Sequence, residues 1–399
     1  MKIQLVKDEC HKNMFIGRVI SLCFAKTIVL QFLHIFVGYE TNTITYFVYI
    51  LLLLYLFAGA IFYRLISLKS ICIWVSVLLF WAIGYITSLP AAKIYFDNVE
   101  IYLIFLYYLP IAVFAIRNIS DTNEVMKQIA KLSGFITIIS IYMIFVRSYA
   151  TLQQDNYMQF SYANIPFTMA AYYYAYKFDK KFYYIVYAVG LLIIFLFGAR
   201  LPLLISIAFP VLLFLFTQNS KVTKSKKIMI GIAAAFVLVI ISLLWNYIFE
   251  LLNVLGSAMG SHVLAKLNAN VFFQSASRNS IYDHAIELIK GSGGKAHGLF
   301  ADRVYLNVVY VHNIFLELII DFGFVAGMIL SIIIVYLILN GLKNSDNRDF
   351  LIFMLLAIFL RYIVSGSYLI EGLAYIYFAT IFKFGFKSRV LLHNKFKSA

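Results

Sequence analysis

Residues 308–328 read VVYVHNIFLELIIDFGFVAGM. The run is close to the length that crosses a bilayer, because a span needs about 20 apolar residues. Yet His312 and Asn313 open it, and Glu317 and Asp321 lie within it. A charged side chain at membrane depth is costly and almost always faces the protein interior or a water-filled cavity. Asn313, Glu317 and Asp321 recur at intervals of four, so a helix carries them on one face. The stretch is read as the entry of a span whose polar face turns inward.

The rest of the chain agrees with a membrane setting. Of its 399 residues, 63% are hydrophobic and 13% are charged, against about 25% charged in a soluble domain. So few charges cannot cover so much apolar surface in water. The expected fold class is an all-α polytopic membrane protein. The formal net charge is 33 − 18 = +15, which raises nucleic acid as a partner. That partner is excluded here because the Lys and Arg residues sit in short clusters between apolar runs, as the positive-inside rule produces. Cys10, Cys23 and Cys72 all lie near the N-terminus and suit neither a disulfide framework nor a thiolate metal site. No His/Asp/Glu set has metal-ligand spacing, so no metal and no cofactor are expected. The first apolar run lacks a small-residue cleavage site after it and is read as a retained span.

With the 20-residue ruler, about twelve spans emerge: 17–38, 43–63, 70–89, 100–116, 132–147, 162–177, 182–199, 201–217, 228–249, 313–340, 350–368 and 370–386. Basic clusters follow alternate spans: Lys2, Lys7 and Lys12; Arg64 and Lys69; Arg117, Lys127 and Lys131; Lys177, Lys180 and Lys181; SKVTKSKK at 220–227; Lys343 and Arg348; and the C-terminal tail. Twelve spans put all of these on one face, the cytoplasm, with both termini inside. The organisation expected is an N-terminal membrane region 1–249, one large external loop 250–312 containing short helices, and a C-terminal region 313–399 with three spans and a basic tail. Within the loop, SRNSIYDHAIELIKGSGG (277–294) has Ile281, Ala285, Leu288 and Ile289 at helical spacing, and its glycines end the helix.

Several residues are candidates for chemistry. Arg200 stands in IIFLFGARLPLLISIAF (193–209) between runs that carry no other charge. It either faces a water-filled cavity or snorkels to the outer headgroups. Arg278 and Arg303 lie in the loop; each is either solvated or suited to bidentate contacts with a pyrophosphate. His312, at the external membrane boundary, is either a structural hydrogen-bonder or a general base toward a hydroxyl. A nearby carboxylate could orient its ring. GSGGKAHG (291–298) lacks the ending of a phosphate loop and is read as a turn. Lys26 and Arg361 either line a cavity or pair with Glu40 and Glu371 respectively. The aromatic run AAYYYAY (170–176) is read as a membrane-interface belt.

Three of these features together resemble the superfamily of bacterial O-antigen polymerases and O-antigen ligases. They are FGARLPLL (197–204), the loop segment from Arg278 to Gly294, and HNIFLELIIDFGFVAG (312–327) with Gly323 and Gly327. The resemblance covers the overall topology and, more closely, residues 190–330. It leaves Arg278 and Arg303 competing for the role of second arginine. It implies a GT-C-like, metal-independent membrane glycosyltransferase of the bacterial inner membrane, with its active site facing the periplasm. Its substrate would be an undecaprenyl-pyrophosphate-linked oligosaccharide, and its product a longer polysaccharide such as O-antigen or capsule. The catalytic set implied is His312, Arg278 and Arg200, with Asn313, Arg303 and Tyr282 binding substrate. The lipid bilayer and a chain-length regulator protein are the further partners. Two other functions are carried: a ligase that transfers the glycan to the lipid A-core of lipopolysaccharide, and a flippase or transporter of lipid-linked oligosaccharide.

Overall fold

The computed structural model describes residues 2–37, 42–146, 157–197, 200–216, 278–307, 310–343 and 346–386. Among these residues every regular element is helical and no strand occurs. Helices satisfy all backbone hydrogen bonds within one segment, which an apolar surrounding demands. Six described helical segments are long and apolar enough to cross a membrane: Glu9–Leu33, Ile44–Phe62, Leu68–Thr87, Val99–Asn118, Thr122–Ile144 and Phe324–Leu342. Three more apolar helices are shorter: Phe182–Phe195, Leu201–Phe216 and Leu373–Phe386. The span read at 228–249 and the basic cluster 220–227 lie outside the described residues, as does loop segment 250–277. The chain divides into two compact units: Met1–Leu22, Asn42–Val125 and Ser275–Ala399 form the first, and Cys23–Thr41 and Met126–Gln274 the second.

In the first unit, the start of α1 (Lys2–Val37) is followed by α2 (Asn42–Phe62) and α3 (Leu68–Thr87). The bounds of α2 and α3 differ from the spans read in the sequence by two residues or fewer. Ser67 caps α3, its hydroxyl accepting from the Ser70 N–H at 3.2 Å. Leu54, Ile61, Phe62, Ile83 and Ile86 are exposed on these helices. In water such an apolar surface would be a liability; against lipid it is the expected face.

The next span, α4 (Val99–Asn118), is broken. One α-helical turn, Val99–Leu103, gives way to wide π-type turns at Ile104–Tyr108 and Ile111–Ala115 and a tight turn at Ile116–Asn118. Pro110 lies between the two wide turns and has no N–H to donate, so the regular ladder is interrupted there. The carbonyls left at the frayed end, those of Ile116, Arg117 and Ile119, accept from the Lys383 ammonium.

The second unit contains most of α5 (Thr122–Val146), then α6 (Tyr157–Phe178), α7 (Phe182–Phe197) and α8 (Arg200–Phe216). α6 and α7 approach closely because position 190 is glycine. A Cβ there would lie 2.5 Å from Thr168 Oγ1. Ser140 donates to Asn164 Oδ1 at 3.0 Å, and the Tyr187 hydroxyl to the Ser206 carbonyl at 3.1 Å. The aromatic run 170–176 is not an interface belt. Tyr173 and Tyr174 are buried, and Tyr172 contacts Tyr184 and Tyr187. Their rings fill the packing between helices, which aromatic surface does efficiently.

The largest departure from the sequence reading is at 313–340. It is not one span. It consists of α11 (Ile314–Phe322) and α12 (Phe324–Leu342), with Gly323 between them at φ 81°. A backbone in that region cannot continue a right-handed helix. A Cβ on Gly327 would fall 2.6 Å from Ile319 Cα, so glycine there lets α12 fold back onto α11. Nine residues rise only about 13 Å, too little to cross a bilayer. α11 therefore belongs with the loop helices α9 (Arg278–Gly291) and α10 (Ala301–Leu306), and the boundary expected at 312/313 moves to Gly323. The span read at 350–368 is helical over Arg348–Met354, Leu355–Phe359 (a π-type turn) and Leu360–Val364, together α13. α14 (Leu373–Phe386) closes the described chain.

Candidate functional site

The loop helices form a small fold of their own within the first unit. Ala285 of α9, Ala301 of α10, Val311 and Ile320 of α11 are fully buried against each other, with Ile281, Leu288 and Ile289 packed on them. The apolar stripe that the sequence places on α9 is thus its docking face. The Gly-rich segment 291–298 is a cap and not a phosphate loop. The His297 and Gly298 N–H groups donate to the Ile320 and Asp321 carbonyls at 3.0 and 3.1 Å, and Phe324 N–H donates to the Gly294 carbonyl at 2.8 Å. These bonds satisfy the backbone at the end of α11, which has no helical partner.

The polar residues of the opening stretch now separate into distinct roles. Asn313 is the N-cap of α11: its side-chain oxygen accepts from the Phe315 and Leu316 N–H groups at 3.0 and 3.3 Å. Asn313→Ala is expected to lower stability by about 1 kcal/mol, while Asn313→Ser restores most of it. Thermal unfolding of the two variants in detergent checks this; equal melting would remove the capping role.

Glu317 and Asp321 share the buried face of α11, 0% and 2% exposed. Both are held by the turn between α13 and α14. The Ser367 hydroxyl donates to Glu317 Oε1, and the Tyr368 N–H to Glu317 Oε2 at 3.3 Å. The Tyr368 hydroxyl donates to Asp321 Oδ2 at 2.6 Å. Arg303 joins them from α10, donating to Ser367 Oγ at 3.1 Å. Its guanidinium lies 4.3 Å from the Phe300 ring centre and 5.4 Å from that of Tyr95, both cation–π contacts. Arg303 is buried, and its commitments are to this network.

Asp302, next to Arg303, is fully buried and reaches the other way. Its Oδ2 accepts from the Val311 N–H at 3.0 Å, fixing the backbone immediately before His312. Burial pushes the Asp302 carboxyl above the ordinary carboxylate range, and the opposing pull of Arg303 is the smaller effect. Among the described residues Asp302 Oδ1, Asp321 Oδ1 and Arg303 Nε have no hydrogen-bond partner. One guanidinium offsets one carboxylate. Burying two more uncompensated charges would cost several kcal/mol each, so the set is stable when protons remain within it.

His312 sits at the rim of this fold. Its φ is 61°, a left-handed conformation uncommon outside glycine. Contacts that hold it include the Asp302 bond to the residue before it, the Tyr282 hydroxyl donating to its carbonyl at 3.3 Å, and the Tyr310 ring 4.2 Å away. Its side chain is half-buried. The structure thus brings His312, Tyr282 and Asn313 together, with Arg303 on the buried side of the same hairpin. Arg278 is the first residue of α9 and Arg200 the first of α8, in different units; their side chains lie outside the description. Arg361 pairs with Glu371 at 3.1 Å. Glu40, the alternative partner for Lys26, lies outside the described residues.

Sequence reasoning missed Asp302, Ser367 and Tyr368. The available signals were an acid–base pair, Asp302-Arg303, amid apolar residues, and a Ser-Gly-Ser-Tyr break at 365–368 between two apolar runs. No family model, curated protein or solved structure matches this chain.

Proposed function

We propose that the chain is a membrane glycosyltransferase that lengthens a polysaccharide of the O-antigen or capsule type. It moves a glycan from undecaprenyl pyrophosphate to the acceptor hydroxyl of a lipid-linked repeat unit. What supports the reading most is the geometry around His312: a half-buried imidazole in a left-handed turn, tied down on both sides by Asp302 and Tyr282. A backbone strained in this way persists where surrounding contacts over-determine it, and such positions cluster at functional sites.

In the proposed reaction the acceptor oxygen attacks the anomeric carbon, and its proton passes to His312. The bond from that carbon to the pyrophosphate oxygen breaks, and the electron pair leaves with the lipid pyrophosphate. Arg278 and Arg200 carry the charge-neutralising role that the resemblance gives them. Arg303, engaged with Ser367, is assigned to positioning instead of substrate contact. The proposal extends to twelve spans in a GT-C-like arrangement, cytoplasmic termini, an inner-membrane location and a periplasm-facing site. A chain-length regulator protein is the proposed partner.

A transporter of lipid-linked oligosaccharide is the second reading, favoured by the three buried carboxyl groups around one guanidinium, an arrangement also used for proton relays. Deleting the chain from its cell separates polymerase from ligase. A polymerase deletion leaves single repeat units attached to their final acceptor, and a ligase deletion leaves none attached. Normal-length chains after deletion would exclude both.

A further inference from the structure

A cleft of about 600 Å³ opens between α1 and α2, away from the loop helices. Its walls include Met14, Phe15, Tyr55, Ala58 and Phe62, and two residues of a different kind, His11 and Arg18. The two helices that bound it are among those apolar enough to cross a membrane. A lipid can therefore reach the cleft from the bilayer.

The polar lining has no acidic partner among the described residues. Arg18 and His11 are both exposed and seven residues apart, so they share one face of α1. Arg18 makes no hydrogen bond or ion pair among the described residues. Lys12, the nearby ammonium, is already paired with Glu9 at 2.9 Å. Beyond the cleft, α2 runs directly into Arg64, also exposed. A guanidinium beside an apolar span surface with no counter-charge among the described residues is electrostatically unsatisfied. An anion within reach relieves this.

The apolar walls specify the rest of the ligand. Phe15 lies flush against α2 at Gly59, where an added Cβ would come 2.1 Å from its ring. Its ring centre is 5.2 Å from those of both Tyr55 and Tyr63. Phe15 is thereby fixed as a wall beside exposed Tyr55, Ala58 and Phe62. An aromatic and aliphatic trough with an arginine, an imidazole and phenol hydroxyls suits an acyl chain joined to a phosphate. We propose that this cleft is a binding site for one anionic phospholipid, its headgroup phosphate held by Arg18 and His11 and one acyl chain along α2. The site is independent of the proposed transferase activity.

Native mass spectrometry of the purified full chain tests this, with phosphatidylglycerol or phosphatidylcholine added to the detergent micelle. The wild type is expected to retain one phosphatidylglycerol in preference to phosphatidylcholine. Arg18→Gln is expected to weaken retention about fivefold, the effect of one interfacial basic residue, and Arg18→Lys to restore most of it. Ala58→Trp keeps every charge but fills the cleft, and is expected to expel the lipid. Both positions are exposed, so folding is not at stake; an unchanged melting temperature without lipid confirms it. Equal retention of the two lipids by the wild type would overturn the proposal. So would retention unaffected by both Arg18→Gln and Ala58→Trp, or displacement of the lipid by inorganic phosphate alone.

Discussion

Replacing Arg303 by leucine is expected to destabilise the protein by about 3–5 kcal/mol, the loss typical when one partner of a buried charge set is removed. Arg303 is 5% exposed and donates to Ser367, which in turn donates to Glu317. Without it, Asp302, Glu317 and Asp321 remain buried with no cation among them. The turn between α13 and α14 then loses one of its ties to α10, and α11 loses its electrostatic support. Thermal unfolding in detergent reads this directly. Arg303→Lys is expected to recover only part, because an ammonium lacks the planar fork that lies against both the Phe300 and Tyr95 rings. The double variant Arg303→Met/Glu317→Met is expected to be more stable than Arg303→Met alone, since a buried carboxyl is removed along with the cation that offsets it. A single Arg303→Leu variant that melts with the wild type would show that the network carries no stability.

The second large effect is on activity. His312→Ala is expected to reduce glycan extension by about 10²–10⁴-fold, the contribution of a positioned general base. Alanine at φ 61° adds backbone strain of its own. His312→Asn avoids this, because asparagine tolerates the left-handed region, and it still removes the imidazole. The two variants together separate chemistry from folding. Both are expected to lose extension, while His312→Asn keeps the wild-type melting temperature. Full activity in His312→Asn would remove the general-base assignment. Loss of activity accompanied by an equal loss of folded protein would make His312 a structural residue.

The membrane character of the chain was legible because it is written locally. A 20-residue apolar run specifies one helix without help from elsewhere, and α2 and α3 lie within two residues of the runs that predict them. The amphipathic α9 was legible for the same reason. The breaks were not. Gly323 looked like one small residue in an apolar stretch, and only its φ of 81° shows that the span starts after it. Pro110 was visible, but the two π-type turns around it were not. The buried network was the least legible part. Arg303 and Ser367 are 64 residues apart, Glu317 and Ser367 are 50 apart, and Asp321 and Tyr368 are 47 apart. No local pattern announces such pairings. The inward turn of Glu317 and Asp321 was predicted from the cost of charge in lipid. Their partners, and the nine-residue helix that carries them outside the span, came only from the fold. Asn313 shared their spacing but not their role, because the first position of a helix spends its side chain on the cap.

The central claim is that this one chain forms glycosidic bonds on lipid-linked sugars. Its most direct measurement incubates the purified protein in detergent with lipid-linked repeat units from its own cell and resolves the products by length. A ladder of longer chains, formed without a second protein and absent with His312→Asn, is the predicted result. Repeat units that stay single, while the same preparation moves them across a reconstituted bilayer, would contradict the account and establish the transporter instead.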